Sequence, residues 1–580
     1  MKKITVFFAA LLFFLLPLKF GGLAVMPESG GFYPENYLDW FFITFPPHSI
    51  GLTGAVLLVM AAISFREKLD KKQLIFALSW SILPALAVLP GMIRGDSVIA
   101  LGELSLLLGC GSMIAAASLI LDKEPDRAML FAGAIFFGGI FTAFYGWHQH
   151  LYSLDEMRNF VAEQEAKGIP VSEGMRLKLT DPRIYSTLAS SNTLASLMMI
   201  MSVLGIFLSG FWSRLVTPPK QAKYIMRIIF LLLFISVLVL TRSRSMIFCP
   251  VLAGMLALFS TDKIKWKWRL AGLAAGAVIL ISGIIIAAAA GRGVASMGER
   301  ADYLRTSAIL CAKYPLAGSG WGGFFRTHMK IKFSDVQETA RDPHNVVALF
   351  ASQCGIPAGL IMLWVLICPL IFLWEHRFEK SFCGAVFWCG VIFTLHSLID
   401  CDWQIPALIA IMGVLYASAL AQLPEKKDVS MPSWGVWIAV MLIAIGAWGT
   451  SYRYLAGDAA LTALQDKVNP ASLEMAQKYE AYPVEMLAAE AAKYRPRQAV
   501  IPIFCGDWYF RIRDLDAAEK FFREAEKLDP ERPSVYLRFA RIALLRGKRD
   551  EAQKYLDRAA KLFPKSDKYT MEKLSKDLRK

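Results

Sequence analysis

The sequence predicts an all-α fold in two parts: a polytopic helical membrane domain followed by a soluble α-helical repeat domain. Three observations carry this. Of 580 residues, 56% are hydrophobic and 19% charged, where a soluble chain carries roughly a quarter charged. Apolar runs of about twenty residues recur from Ile4 to about Gly449, each long enough to cross a hydrocarbon core about 30 Å thick. Charge is concentrated at the end: residues 453–580 hold 26 Lys+Arg and 20 Asp+Glu, 46 of the 111 charged residues. The membrane domain is therefore 1–452 and the soluble domain 453–580. A soluble enzyme, a secreted disulfide scaffold and a disordered chain are excluded. The net charge of +15 gathers in no strong basic block, so nothing points to nucleic acid.

In chain order, the segment from Met1 to about Val25 opens Lys2-Lys3 and turns apolar. No small-x-small cleavage site follows, so it reads as a first helix rather than a signal peptide. Further spans centre near residues 57, 82, 109, 138, 199, 233, 253, 280, 360, 390, 413 and 442, about thirteen in all. An odd number places the two termini on opposite sides. Segments 66–73, 122–127, 213–227, 262–269, 375–380 and 424–430, with Lys2 and Lys3, carry 14 Lys and 6 Arg. By the positive-inside rule they face the cytoplasm. The short loops opposite are almost bare of Lys and Arg, and two long ones remain there, about 150–184 and 291–345.

The outward side holds 11 Arg and only 5 Lys, and six of the seven histidines, all but His376. Arginine grips phosphate or carboxylate with a planar two-point fork that lysine lacks, so this face is a candidate anionic site. The nine cysteines show no CxxC pair and no metal-ligand spacing. Cys110, Cys249, Cys368, Cys383 and Cys389 lie in or beside apolar runs and read as packing residues.

In the tail, prolines at 496, 530 and 564 are 34 residues apart. Before Pro530 stand Gly506, Tyr509, Ala518, Phe522 and Ala525; before Pro564 stand Tyr536, Ala540, Ala552, Leu556 and Ala559. Small residues let two helices approach and the proline ends the second one. The period and pattern resemble the tetratricopeptide repeat. The unit before Pro496 is degenerate, with Val484 where alanine is expected. Asp514 and Asp516 open a helix, where acids suit the macrodipole. Such an array serves most simply as a docking surface for a protein partner.

Four places put polar groups where lipid should forbid them, and ionisable groups at such depth are functional by default. They are Thr241-Arg242-Ser243-Arg244-Ser245; Gly298-Glu299-Arg300 with Pro315-Leu316-Ala317-Gly318-Ser319-Gly320; Asp342-Pro343-His344-Asn345; and His396-Ser397-Leu398-Ile399-Asp400-Cys401-Asp402-Trp403-Gln404-Ile405-Pro406. His344 also suits a helix cap, Arg242 and Arg244 suit interfacial anchors, and Asp400-x-Asp402 alone is a weak metal pattern.

In this order, with Arg183-Ile184-Tyr185-Ser186-Thr187 and Ser191-Asn192 ahead of them, these motifs resemble the O-antigen ligase superfamily. That superfamily includes O-antigen ligases, protein O-oligosaccharyltransferases and polysaccharide polymerases. The likeness covers about 180–420, including the long loop 291–345. Leu304 and Val347 depart from it, standing where tryptophan and an aromatic residue are common. The resemblance implies a multi-pass glycosyltransferase of the bacterial inner membrane, working at the outer face with its C-terminal domain in the periplasm. Its donor would be a glycan on undecaprenyl diphosphate. Its acceptor would be a hydroxyl of lipid A core, of a protein or of a growing glycan.

Arg244 and Arg300, with Arg242 in support, are the candidates to bind the diphosphate and stabilise its growing charge. His344 is the candidate base for the acceptor hydroxyl, and Asp400 would orient that histidine or an arginine. Arg183, Asn345 and His396 are supporting candidates. Direct displacement would invert the anomeric centre. No ATP or other energy source is needed, because the donor is already activated; the resemblance implies no cofactor and metal independence, with Asp400 and Asp402 the one feature arguing otherwise. The competing readings are a polymerase of the same superfamily, a transporter or flippase for lipid-linked glycan, and a non-catalytic scaffold. No paired halves of the transporter kind are evident.

Overall fold

The structure, a computed structural model, describes residues 1–22, 37–65, 71–121, 124–166, 181–188, 190–215, 220–289, 293–333, 340–423, 433–470 and 477–562. The regular elements among these residues are all helical. In the first half they are α1 (Lys2–Lys19), α2 (Tyr37–Phe42), α3 (Ile50–Ser64), α4 (Lys71–Ser81), α5 (Leu83–Val88), α6 (Ser97–Leu121), α7 (Pro125–His148), α8 (Leu154–Ala166), α9 (Ser191–Leu215) and α10 (Lys220–Leu240). Then come α11 (Ser245–Ser260), α12 (Trp266–Ala289), α13 (Gly293–Lys313), α14 (Gly323–Ile331), α15 (Val346–Cys354), α16 (Ile356–Leu373), α17 (Phe382–Ser397) and α18 (Pro406–Leu420). The last are α19 (Ser433–Val468), α20 (Val484–Tyr494), α21 (Val500–Arg511), α22 (Leu515–Leu528), α23 (Pro533–Leu545) and α24 (Arg549–Leu562).

Each expected span centre falls within a helix except residue 82. There the chain breaks between α4 and α5, because Pro84 at the start of α5 has no N–H to continue the ladder. Among the described residues, seven segments are long and apolar enough to cross a membrane, and four further apolar helices are shorter. Length and composition thus mark seven candidate crossings among the described residues, and about thirteen remains the expectation from the apolar runs of the sequence. The five cysteines read as packing residues are buried and free.

Helix α18 is the axis of the bundle, and all of its residues are buried. A helix apolar on every face belongs in such a position. Its neighbour α17 has 16 residues and α18 has 15, so they run about 24 Å and about 22 Å at 1.5 Å per residue. Both fall short of a hydrocarbon core of about 30 Å. The turn that joins them, 398–405, is accordingly sunk into protein, with Asp400, Asp402, Trp403 and Gln404 buried. Irregular backbone at that depth is tolerated only when protein covers it. Trp403 anchors the turn against Trp80 and Phe393, with ring centroids 5.6 and 6.2 Å away. Trp80 in turn donates to the Val365 carbonyl on α16 at 2.8 Å.

The expected boundary at residue 452 lies inside a continuous helix, since α19 runs through it to Val468. The end of α19 then pairs with α20. Leu464 and Val468 share a buried cluster with Val484, Leu487, Ala491, Ile501 and Cys505. The degenerate repeat thus borrows its first helix from the last long apolar helix, whose sequence also serves the membrane part and lacks the repeat pattern. The two regular units are the hairpins α21–α22 and α23–α24. Ala518, Phe522 and Ala525 of the first and Ala552, Leu556 and Ala559 of the second are buried. Asp514 caps α22 by accepting from the Ala517 amide at 3.0 Å.

Candidate functional site

The polar site is assembled around the sunken 398–405 turn. Asp400 is 3% exposed and its two oxygens have separate partners. Oδ2 accepts from Asn192 Nδ2 at 2.6 Å and lies 3.6 Å from a terminal nitrogen of Arg300. Oδ1 accepts from the Cys401 amide at 2.8 Å and faces His344 Nδ1 at 3.6 Å. At 3.6 Å the His344 contact is an ion-pair distance rather than a hydrogen bond, so the direct hydrogen bonds to Asp400 come from Asn192 and the Cys401 amide. Side-chain exposure is 41% at Arg300 and 25% at His344. Those two groups therefore reach solvent, and the carboxylate works behind them.

His344 is placed by its own turn. Asp342 Oδ1 accepts from the His344 amide at 2.8 Å, and its Oδ2 accepts from Gln404 Nε2 at 3.0 Å. His344 has φ +50°, a left-handed conformation uncommon outside glycine though more frequent in histidine, asparagine and aspartate. The cap of α15 is its neighbour: Asn345 Oδ1 accepts from the Ala348 amide at 2.9 Å, while Nδ2 donates to the Leu398 carbonyl at 2.8 Å. Asn345 thus ties the histidine turn to the aspartate turn, and capping is not what His344 does. The His344 ring stacks on Tyr303, with centroids 5.6 Å apart at 26°.

Behind Asp400 a hydrogen-bonded chain runs into the protein, and its directions can be worked out. Asn192 gives its amide N–H to the carboxylate, so its oxygen takes the Ser243 hydroxyl proton, at 2.9 Å. Ser243 Oγ then accepts from Ser245, 2.8 Å away. Ser245, its proton committed, accepts from His396 Nε2 at 3.0 Å. His396 Nδ1 lies 2.8 Å from Asp402 Oδ2, which also accepts from Ser196 at 3.0 Å. With Nε2 protonated, the His396–Asp402 contact is bonding only if it holds a second proton.

The structure thus brings together Arg300, His344 and Asp400, with Asn345 alongside and His396 four hydrogen bonds behind. Arg242 and Arg244 are exposed on the turn between α10 and α11, either side of the Ser243 that binds Asn192. Arg183 forms an ion pair with Asp181 at 2.6 Å, and the Arg242 charge acts on the same carboxylate. Sequence reasoning did not assign roles to Asn192, Ser243, Ser245, Asp402 or Tyr303. The visible signal was the alternation in Thr241-Arg242-Ser243-Arg244-Ser245, which sends serines one way and arginines the other.

The Pro315–Gly320 motif is structural. Ser319 and Gly320 amides donate to the Ser352 and Gln353 carbonyls at 2.9 Å each, and the Ile356 amide donates to Pro315. Gly355, with φ +100°, passes so close that a Cβ would sit 2.2 Å from the Leu316 oxygen. This clamp holds the long loop on the junction of α15 and α16.

Donor atoms of His344, Asp400 and Cys401 lie within 4.8 Å of one another. Arg300, 3.6 Å from Asp400 Oδ2, stands beside the same carboxylate. Asp402 does not join Asp400, because its carboxylate turns to His396 and Ser196.

Residues 228–363 match the family model described as O-antigen ligase, and residues 513–571 match one described as a tetratricopeptide repeat. No curated protein matches the chain. The first match runs from within α10 to within α16 and contains Arg242, Arg244, Arg300 and His344; Asn192, His396 and Asp400 lie outside it.

Proposed function

We propose, from the likeness of residues 228–363 to the O-antigen ligase family and of residues 513–571 to the tetratricopeptide repeat, that this chain transfers a glycan from a polyprenyl diphosphate, such as undecaprenyl diphosphate, to an acceptor hydroxyl. One observation carries the residue assignment: a buried carboxylate, Asp400, with a histidine at one oxygen and an arginine at the other. The acceptor oxygen attacks the anomeric carbon and gives its proton to His344. With Nδ1 turned to Asp400, Nε2 is the atom that takes it. As the new C–O bond forms, the bond from the anomeric carbon to the phosphate oxygen breaks, and its electron pair leaves on the diphosphate. Arg300, with Arg242 and Arg244 from the neighbouring turn, neutralises that charge. Asp400 holds the imidazole and stabilises the imidazolium. Displacement in one step inverts the anomeric centre. No metal is called on, because the arginines meet the leaving group and the histidine meets the proton. The acceptor is lipid A core, a protein or a growing glycan; in the last case the enzyme is a polymerase. The reaction takes place at the outer face of the bacterial inner membrane.

The test is His344→Asn beside His344→Ala, in membranes supplied with purified donor lipid. Asparagine accepts the positive φ at this position yet takes up no proton near pH 7. Both variants should lose about 10²- to 10⁴-fold in transfer rate while donor binding and protein level persist. Activity retained in the asparagine variant would remove His344 as the base.

A further inference from the structure

Helix α14 has two working faces. On one, Phe324 and His328 are buried, with their rings stacked at 5.6 Å and 10°. The His328 ring meets Tyr303 edge-on at 5.1 Å, and Tyr303 is the ring on which His344 stacks. His328 Nδ1 also lies 3.2 Å from Thr306 Oγ1 on α13. On the other face, Arg326 and Lys330, one helical turn apart, reach the repeat domain. Arg326 lies 3.2 Å from Asp529, and Lys330 Nζ donates to both Glu531 oxygens at 3.0 Å.

A second contact supports the same stretch from its start. Gln498 Nε2 donates to Asp96 Oδ1 at 2.9 Å. Asp96 caps α6 through the Val98 amide, and its own amide donates to the Trp321 carbonyl, just ahead of α14. The tail residues involved are not scattered. Gln498 follows Pro496 by two positions, and Asp529 and Glu531 flank Pro530. They are equivalent turns of successive units, which the 34-residue period stacks along one edge of the array. A stack of packed hairpins moves as a unit, so contacts that are weak singly act on α14 together.

We propose that the repeat domain is a positioning element for the transfer reaction: its inter-repeat turns hold α14 against Tyr303 and so fix the plane of the His344 ring. This rests on the reading of His344 as the base. Displacing a reacting group by about 1 Å can cost 10²-fold, so a loosened support need not unfold anything to slow the reaction.

The experiment uses the full chain with Asp529→Lys and Glu531→Lys together, compared with the same chain also carrying Arg326→Glu and Lys330→Glu. Turnover should fall at least about tenfold with KM for the donor lipid little changed. Amide hydrogen exchange at 323–331 and 342–345 should quicken. The complementary reversal should restore both. Unchanged exchange in the charge-reversed chain overturns the proposal, as does quickened exchange with full turnover, or a loss that the complementary reversal leaves in place. The exchange readout does not depend on what His344 does. An active His344→Asn variant removes the base while leaving the exchange result to judge the coupling.

Discussion

Replacing Asp400 by asparagine tests the centre of the site with almost no change of shape. Both carboxylate oxygens accept hydrogen bonds, Oδ2 from Asn192 and Oδ1 from the Cys401 amide. Whichever way an amide is turned, its NH2 group meets a donor, and an unsatisfied buried group costs about 1–3 kcal/mol. The larger effect is on chemistry. At the 3.6 Å separating His344 Nδ1 from Asp400, a unit charge pair is worth about 4–5 kcal/mol at an effective dielectric constant near 20. His344 is a quarter exposed, so roughly half of that, on the order of 2–3 kcal/mol, is a fair share for the imidazolium formed as the proton moves. Turnover should then fall about 30- to 150-fold.

The assay is transfer from purified donor lipid in membranes, normalised to protein level, alongside thermal unfolding in detergent. Turnover within about threefold of wild type at normal protein level would refute the coupling of Asp400 to the reacting histidine.

Arg300→Lys and Arg244→Lys keep the charge but lose the two-point fork, and each should cut transfer at least about tenfold. Near wild-type transfer in both would leave these residues as interfacial anchors. The sidedness follows from the loop charges: a reporter active only outside the cytoplasm should work when fused after Lys580 and fail after Lys427. The reverse pattern would put the site on the cytoplasmic side.

The features legible in the sequence are those that depend on neighbours along the chain. Apolar runs mark helices whatever they pack against, because crossing lipid is a property of one segment. The 34-residue spacing of Pro496, Pro530 and Pro564 marks the hairpins, because each repeat contacts its neighbours in sequence. The stretches holding Arg300, His344 and Asp400 stand out because charge in an apolar setting needs a reason, but each is weak alone, and their order and the family resemblance single the residues out. What joins them is tertiary. Asn192, Ser243, Ser245 and His396 are ordinary polar residues until α9, α11 and α17 meet at the 398–405 turn. Nothing local says that one serine will bind an amide two helices away. The same holds for α14, a short helix whose arginine and lysine look like surface charges until the repeat turns are placed against them. The boundary expected at residue 452 marks a real change of composition, but backbone hydrogen bonds continue across it. Composition records what each stretch must be dissolved in, whereas the helix persists as long as both solvents leave its ladder intact.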